Sequence, residues 1–226
     1  MQPAAVAEDR RFRLAGYAFV SGAALIIVFN LVFPRADDAW DVPAVLEMMA
    51  ANQTLRQVSF LGVGVGLWAL TAGLVELVRA LPSPWARVGR YGTLLGAAVF
   101  TVSIGLGMAA TGPAAAWVAS GSDPASVDYA LAAALNVADD GVWFLAIITY
   151  WASLGLLGVA LLSSATFPRW LAVWILVVGF ATAALVGVPL AVGVEAPALL
   201  LAFGIVGMLT AVWALLVGVR VLRSSP

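Results

Sequence analysis

Two adjacent acids offer the most suggestive chemistry in the chain. Asp139 and Asp140 stand in the segment ADDGV, directly before a long run without charge. Aspartyl proteolysis inside a membrane needs two Asp on different helices, one of them in a GxGD sequence, whereas these two share one helix end. Phosphoryl transfer would need an Arg or further spaced acids for a metal, and Val-Trp-Phe-Leu follows instead. Neither reaction is predicted here.

The residue types that are absent exclude most other catalysis. The chain has no His and no Cys, and all eleven basic residues are Arg. Imidazole acid–base chemistry, thiol nucleophiles, HExxH zinc sites and His- or Cys-ligated haem are therefore excluded. Without Lys there is no retinal Schiff base and no GxxxxGK[ST] phosphate loop. We expect a protein that is not an enzyme and that needs no cofactor.

Composition places the chain in a membrane. Its 226 residues are 63% hydrophobic and 10% charged, whereas a soluble domain carries about 25% charged residues. Glu76 interrupts one apolar run, but Arg79 lies one turn away and predicts an ion pair at the helix end. The sequence predicts a single all-α domain over 1–226, an integral membrane bundle of six transmembrane helices. The six runs are at about 14–33, 57–78, 91–112, 141–163, 170–193 and 197–219.

Arginine sets the predicted orientation. If the chain starts in the cytoplasm, nine Arg lie inside and only Arg35 and Arg56 lie outside. This positive-inside asymmetry predicts two cytoplasmic termini and a multi-pass protein of the cytoplasmic (inner) membrane of a prokaryote. Nothing in the charge balance suggests a nucleic-acid partner.

Each of the two long outer loops is expected to contain a short helix. In 40–57, Pro43 suits a first helical position, and in 120–140 Asp123 can cap a helix that Pro124 begins. Either helix could lie on the membrane surface or extend the next transmembrane helix. Extension is less favoured for the second loop, because Asp139, Asp140 and Gly141 should interrupt it.

Small residues recur at helical spacing and predict close packing between helices. The pattern serves equally for contacts within one chain and for contacts with a second copy or another membrane protein, so both stay open. The residues concerned are Gly62, Gly66, Gly92, Gly96, Ser103, Gly107, Gly179, Ala183, Gly187, Gly204, Gly207, Ala211, Ala214 and Gly218.

A polar cluster is predicted at the outer helix ends. Successive helical residues are about 100° apart, so one of the two acids can face water while the other turns inward. Arg56 is the natural partner of the inward acid, and we expect that acid to be Asp140. The candidate outer polar cluster comprises Asn30, Arg56, Gln57, Asp139 and Asp140.

Large aromatic residues are also expected near the middle of the membrane. Trp68, Tyr150 and Trp151 could line a pocket for an apolar ligand, or they could fill space between Gly-rich helices. The sequence leaves both interpretations open.

The helix order, the length and the segment FPRWLAVWILVVGFATAALVG (167–187) resemble uncharacterised six-helix membrane proteins of bacteria and archaea, grouped as a domain of unknown function. The resemblance implies a helical bundle and supplies no activity.

These observations favour a non-enzymatic membrane component with an assembly, accessory, or apolar-ligand or lipid-binding role, whose partners are membrane lipids. The alternative is a small transporter or channel with an outward-facing polar vestibule. A polar path usually needs polar or ionisable side chains along it, and mid-depth offers mainly Thr, Ser, Tyr and Trp.

Overall fold

A computed structural model describes residues 3–79, 81–164 and 167–224. The described residues are almost entirely helical and contain no strand. In chain order the helices are α1 (Pro3–Val32), α2 (Val42–Ala51), α3 (Gln53–Arg79), α4 (Pro84–Ala119), α5 (Val127–Leu162), α6 (Arg169–Thr182), a π-helical turn (Ala183–Gly187), α7 (Val188–Ala191) and α8 (Pro197–Ser224).

Six of these segments are long and apolar enough to cross a membrane, as the uncharged runs predict. The expected ion pair at the end of the second run is confirmed, since Arg79 Nη1 lies 3.4 Å from Glu76 Oε1. The chain therefore has the build of a multi-pass membrane protein. The spans are Phe12–Val32, Gln53–Arg79, Pro84–Ala119, Val127–Leu162, Arg169–Ala191 and Pro197–Arg223.

The connections between spans alternate between two ends of the bundle. We call the end with segments 33–52 and 120–126 the acidic end, because it carries Asp37, Asp38 and Asp123. We call the other end, which holds Arg79 and Arg169, the basic end.

Two helices extend well beyond the uncharged runs that predict them. The run 91–112 lies inside α4, which starts at Pro84 and continues to Ala119. An uncharged run reports the length of the hydrocarbon layer, whereas backbone hydrogen bonding continues past it into the aqueous boundary. At the acidic end α4 and α5 therefore form a long helical hairpin.

The expected interruption at Asp139–Gly141 is wrong. Helix α5 runs without a break from Val127 to Leu162, and Ser126 caps it by accepting a hydrogen bond from the Tyr129 amide at 3.2 Å. Asp and Gly lower helix propensity only modestly, and packing of α5 along the whole of α4 outweighs that cost. The predicted loop helix is thus the first part of α5.

Helix α2 is separate from α3 and covers the hairpin at the acidic end. Asp41 caps it by accepting from the Ala44 amide at 3.4 Å, with Pro43 in the first turn. Its buried face packs on α4 and α5. The resulting small apolar cluster, which we call the cap cluster, contains Val45, Leu46, Met49, Ala110, Ala114, Trp117 and Ala132.

The six spans pack as a closed ring. Each packs on the next one along the chain, and α8 closes the ring by packing on α1. The contact of α8 with α6 is the smallest of the six, although Trp213 Nε1 donates to the buried Leu171 carbonyl across it at 2.8 Å. The main core of the ring includes Phe19, Leu70, Leu74, Ile147, Tyr150, Leu154, Leu157, Ile175, Trp213 and Val217.

Small residues make the closest helix contacts, as the sequence predicts. A Cβ atom on Gly66 would lie 2.9 Å from the Gly22 carbonyl oxygen, and one on Gly218 would lie 2.9 Å from that of Gly16. Gly204 and Gly207 differ, because no atom lies within 4 Å of a Cβ built on either. These two make no close contact within the described chain.

The fifth span contains a π turn. The Val188 amide donates to the Ala183 carbonyl, five residues back. Pro189 follows directly and has no N–H to continue the α pattern. The helix ends at Ala191, two residues before Gly193, whose φ is +82°. The wide turn thus stands beside the Gly and Pro residues that loosen this span.

Candidate functional site

Charged side chains enter the bundle at one place. Arg56 is 6% exposed and Asp139 is 8% exposed, and among residues 12–79, 81–164 and 167–223 no other charged side chain is buried to this degree. Asp140 lies beside them and is partly exposed. We call Arg56, Asp139 and Asp140 the charged cluster.

Helix α3 carries Arg56 into the interior because its first turn continues the core-facing stripe. Arg56 and Ser59 take the acidic-end positions of the same face that buries Leu70 and Leu74 further along. The Arg56 amide donates to the Asn52 carbonyl at 2.9 Å, which fixes this turn. A guanidinium thus occupies a position where the helix pattern would otherwise place an apolar residue.

Helix α4 receives the Asp139 carboxylate. Ser103 Oγ donates to Asp139 Oδ1 at 2.5 Å, and this hydrogen bond is buried. One turn further on, a Cβ on Gly107 would lie 2.7 Å from Asp139 Oδ2. Gly107 therefore leaves the space in which the second carboxylate oxygen sits.

Asp140 points elsewhere on the helix. Asn136 Nδ2 donates to Asp140 Oδ2 over 3.4 Å, which is a long hydrogen bond on the same helix. Asp139 is buried at 8% exposure, whereas Asp140 is partly exposed. The expectation that Asp140 is the inward acid is therefore wrong, because the helix rotation buries Asp139 instead.

Arg56 makes no direct ion pair within the described residues. Neither acid has an oxygen within 4.0 Å of a guanidinium nitrogen. The Arg56 Cζ atom lies 4.8 Å from the ring centre of Phe60 and 5.2 Å from that of Phe33, which is cation–π geometry. The buried Arg56 Nε and Ser59 Oγ atoms have no hydrogen-bond partner in the part of the chain that the structure describes.

The other two polar residues of the predicted cluster are bound elsewhere. Gln57 Nε2 donates to Thr111 Oγ1 of α4 at 3.2 Å. Asn30 Nδ2 donates to the Ile26 carbonyl of its own helix at 2.9 Å. Gln57 therefore links α3 to α4 next to the charged cluster. Asn30 forms its hydrogen bond within α1.

The predicted mid-membrane pocket is not assembled. Trp68 is 41% exposed and donates through Nε1 to Thr101 Oγ1 at 2.9 Å. Tyr150 and Trp151 are buried in contact with each other, with ring centres 5.4 Å apart, and Trp151 also meets Phe203 at 5.2 Å. Helix rotation sends Trp68 outward, and the other two rings fill the space between helices.

The charged cluster is enclosed between two apolar layers. Along α4, Ser103 and Gly107 stand between Ala97 of the main core and Ala110 of the cap cluster. Along α5, Asp139 stands between Ala132 of the cap cluster and the main core. The charged cluster thus lies between the cap cluster and the main core along both helices.

Several residues of this site carry only a weak signal in the sequence. Ser103 and Gly107 read as packing residues, and Phe33 and Phe60 read as ordinary membrane aromatics. Asn136 could have been found, because it lies four residues before Asp140 on one helix face. Within the described residues, no three acids are grouped so that they could hold a metal ion.

A ring of apolar helices around a packed core, with one charged cluster at its acidic end, defines a helical multi-pass membrane protein. Comparison with known protein families, curated proteins and solved structures finds no match to this chain. The resemblance to uncharacterised six-helix membrane proteins therefore stays a prediction.

Proposed function

We propose that this protein is a non-enzymatic component of the cytoplasmic membrane of a prokaryote and that it acts by binding at its acidic end. The Arg asymmetry supports placing that end outside the cell. The role is an assembly, accessory or lipid-binding one, with membrane lipids as its first partners. Its site is the charged cluster beneath the cap cluster.

The observation that carries this proposal is the change in chemistry along the inward face of α5. Asn136 and Asp139 lie near the acidic end, and Tyr150 and Trp151 lie in the middle. Toward the basic end, Ser153 donates its hydroxyl to the Thr149 carbonyl of the same helix, and the remaining buried residues are apolar. The latter, Leu154, Leu157 and Leu161, are almost completely buried. Beyond Asp139 this face carries no further charged side chain and offers only uncharged polar groups such as hydroxyls, so the arrangement supports binding over conduction.

The depth of the cluster fits a partner in the membrane boundary. Asp139 is 23 residues before Leu162, the last residue of α5, which is about 35 Å at 1.5 Å per residue. The hydrocarbon layer is about 30 Å thick. The cluster therefore falls where lipid headgroups begin.

Transport is the second candidate, and the buried charge favours it. Ionisable side chains inside a membrane bundle are costly and commonly mark a solute or proton path. Arg56 is such a residue, and its Nε atom is buried without a partner. A transporter would have to open the apolar half of the ring to complete the path.

Vesicles reconstituted with the full chain separate the two candidates. With a pH-sensitive dye inside and a potassium diffusion potential imposed, we expect proton uptake at the rate of protein-free vesicles. Native mass spectrometry of the same preparation should show retained lipid, with less on the Arg56→Gln/Asp139→Asn variant. The matched control is Arg35→Gln, which removes an exposed Arg at the same end. Proton uptake that requires Asp139, without retained lipid, would establish the transporter instead.

A further inference from the structure

The opposite charges of the charged cluster form no direct ion pair within the described residues. Arg56 has no acceptor among the described residues, and its Nε atom is completely buried. A buried guanidinium without an acceptor is expensive, because the rings of Phe33 and Phe60 do not replace the hydrogen bonds to water that it has lost. An anionic group could accept hydrogen bonds from Arg56, and the described chain does not supply one.

The two carboxylates have few hydrogen-bond donors, just as Arg56 lacks an acceptor within the described chain. Asp139 Oδ1 is bound by Ser103, but among the described residues Oδ2 has no hydrogen-bond donor and Asp140 receives only the long bond from Asn136. A partly buried carboxylate is stabilised by N–H donors, most strongly by charged ones. A cationic N–H donor would therefore stabilise these oxygens.

The net charge of the cluster limits the class of ligand that could bind there. One guanidinium against two carboxylates leaves one net negative charge on the fully ionised cluster. A simple anion bound to Arg56 would add to that excess, and a simple cation would leave Arg56 without an acceptor. A molecule that carries one negative and one positive group can bind Arg56 and the carboxylates at the same time.

We infer that the charged cluster binds a zwitterion whose phosphate contacts Arg56 and whose ammonium group donates to Asp139 and Asp140. The planar guanidinium is suited to phosphate oxygens, which it can bind through two parallel N–H groups. The inference rests on the proposed function and names the ligand of the same site. The headgroup depth of the cluster allows two sources, namely a phosphoethanolamine lipid or a soluble molecule of that chemistry.

Soluble probes test the chemistry first, on the full-length protein in detergent. We expect phosphoethanolamine to raise the thermal unfolding midpoint, because a ligand that binds only the folded state stabilises it. Inorganic phosphate lacks the ammonium group, and phosphocholine has no N–H to donate. Both should need at least about tenfold higher concentration for the same shift, the loss expected for one charge-assisted hydrogen bond.

Lipid vesicles identify the source. Reconstitution into phosphatidylcholine with added phosphatidylethanolamine or phosphatidylglycerol is followed by native mass spectrometry of retained lipid. Selective retention of phosphatidylethanolamine assigns the site to a lipid headgroup. A midpoint shift with phosphoethanolamine but no lipid selectivity assigns it to a soluble zwitterion. If neither phosphoethanolamine nor its lipid is preferred, the inference is overturned.

Single substitutions then locate the binding. Arg56→Gln and Asp139→Asn should each weaken the phosphoethanolamine response by at least about tenfold, and Arg56→Lys should keep part of it. Arg35→Gln and Asp128→Asn are the matched controls and should respond like the wild type. An unchanged response in folded Arg56→Gln or Asp139→Asn would overturn the inference. If a variant does not fold, the probe selectivity of the wild type still decides, and proton uptake by vesicles tests the proposed function separately.

Discussion

Gly96 of α4 lies directly against the backbone of Tyr150 in α5, where a Cβ atom on the glycine would be 2.8 Å from the Tyr150 Cα atom. Helix α5, which carries Asp139 and Asp140, and helix α4, which supplies Ser103, are thus held at backbone contact only a few turns away from the charged cluster. The spacing of Ser103 from Asp139 depends on this contact.

Gly96→Leu should force α4 and α5 apart and destabilise the bundle by about 1–3 kcal/mol or more, the usual cost of overpacking. Gly105→Leu is the matched control on the same helix, because no atom lies within 4 Å of a Cβ at Gly105. Thermal unfolding in detergent measures both. Equal midpoints for the two variants would mean that the Gly96 contact is not tight in solution.

Arg56 and Asp139 should be energetically coupled. Removing one charge leaves the other poorly solvated and costs about 3–5 kcal/mol if the pair is fully buried, so Arg56→Gln/Asp139→Asn should cost less than the sum of its single variants. A double-mutant cycle in denaturant measures the coupling, and the Arg56/Asp140 cycle should give a smaller value. Additive effects for Arg56 and Asp139 would show that the acids act independently of Arg56.

The orientation can be tested with single cysteines, because the chain has no native thiol. Asp37 and Arg87 are exposed and lie at opposite ends of the bundle. We expect a membrane-impermeant maleimide to label Asp37→Cys in intact cells and Arg87→Cys only after permeabilisation. The reverse pattern would place the acidic end in the cytoplasm.

Trp213 should stabilise the weakest contact of the ring. Its Nε1–H donates to the Leu171 carbonyl inside the bundle, and Trp213→Phe leaves that carbonyl without this donor, at a cost of about 1–3 kcal/mol. Trp170→Phe is the control, because Trp170 is exposed on the neighbouring helix. Unfolding midpoints compare the two, and a larger loss for Trp170→Phe would contradict the assigned role of Trp213.

The number and placement of the helices follow from the sequence because the membrane imposes one rule on all of them. A span must be apolar for about 20 residues, and the six runs satisfy it. Helix ends do not follow in the same way. Asp139 and Gly141 mark the aqueous boundary without ending α5, because packing on α4 maintains the helix beyond the hydrocarbon layer.

The candidate site was harder to predict because it depends on rotation about each helix axis. Composition identifies Arg56 and the two acids, but about 100° of rotation decides between Asp139 and Asp140. Helix rotation also decides that Trp68 faces outward, although its depth suits the predicted pocket, whereas Tyr150 faces the core. Contacts between helices fix these rotations, and a single sequence contains them only as ambiguous small-residue patterns.

A π turn holds one residue more than the α turn it replaces, so Ala183–Gly187 acts as a one-residue insertion in the fifth span. Beyond it, the apolar pattern is out of phase with the preceding part of the helix by about 100°. A homologous chain with a regular helix at this place would be one residue shorter. From Val188 onward, an alignment without a gap there would pair the core-facing residues of one chain with lipid-facing residues of the other.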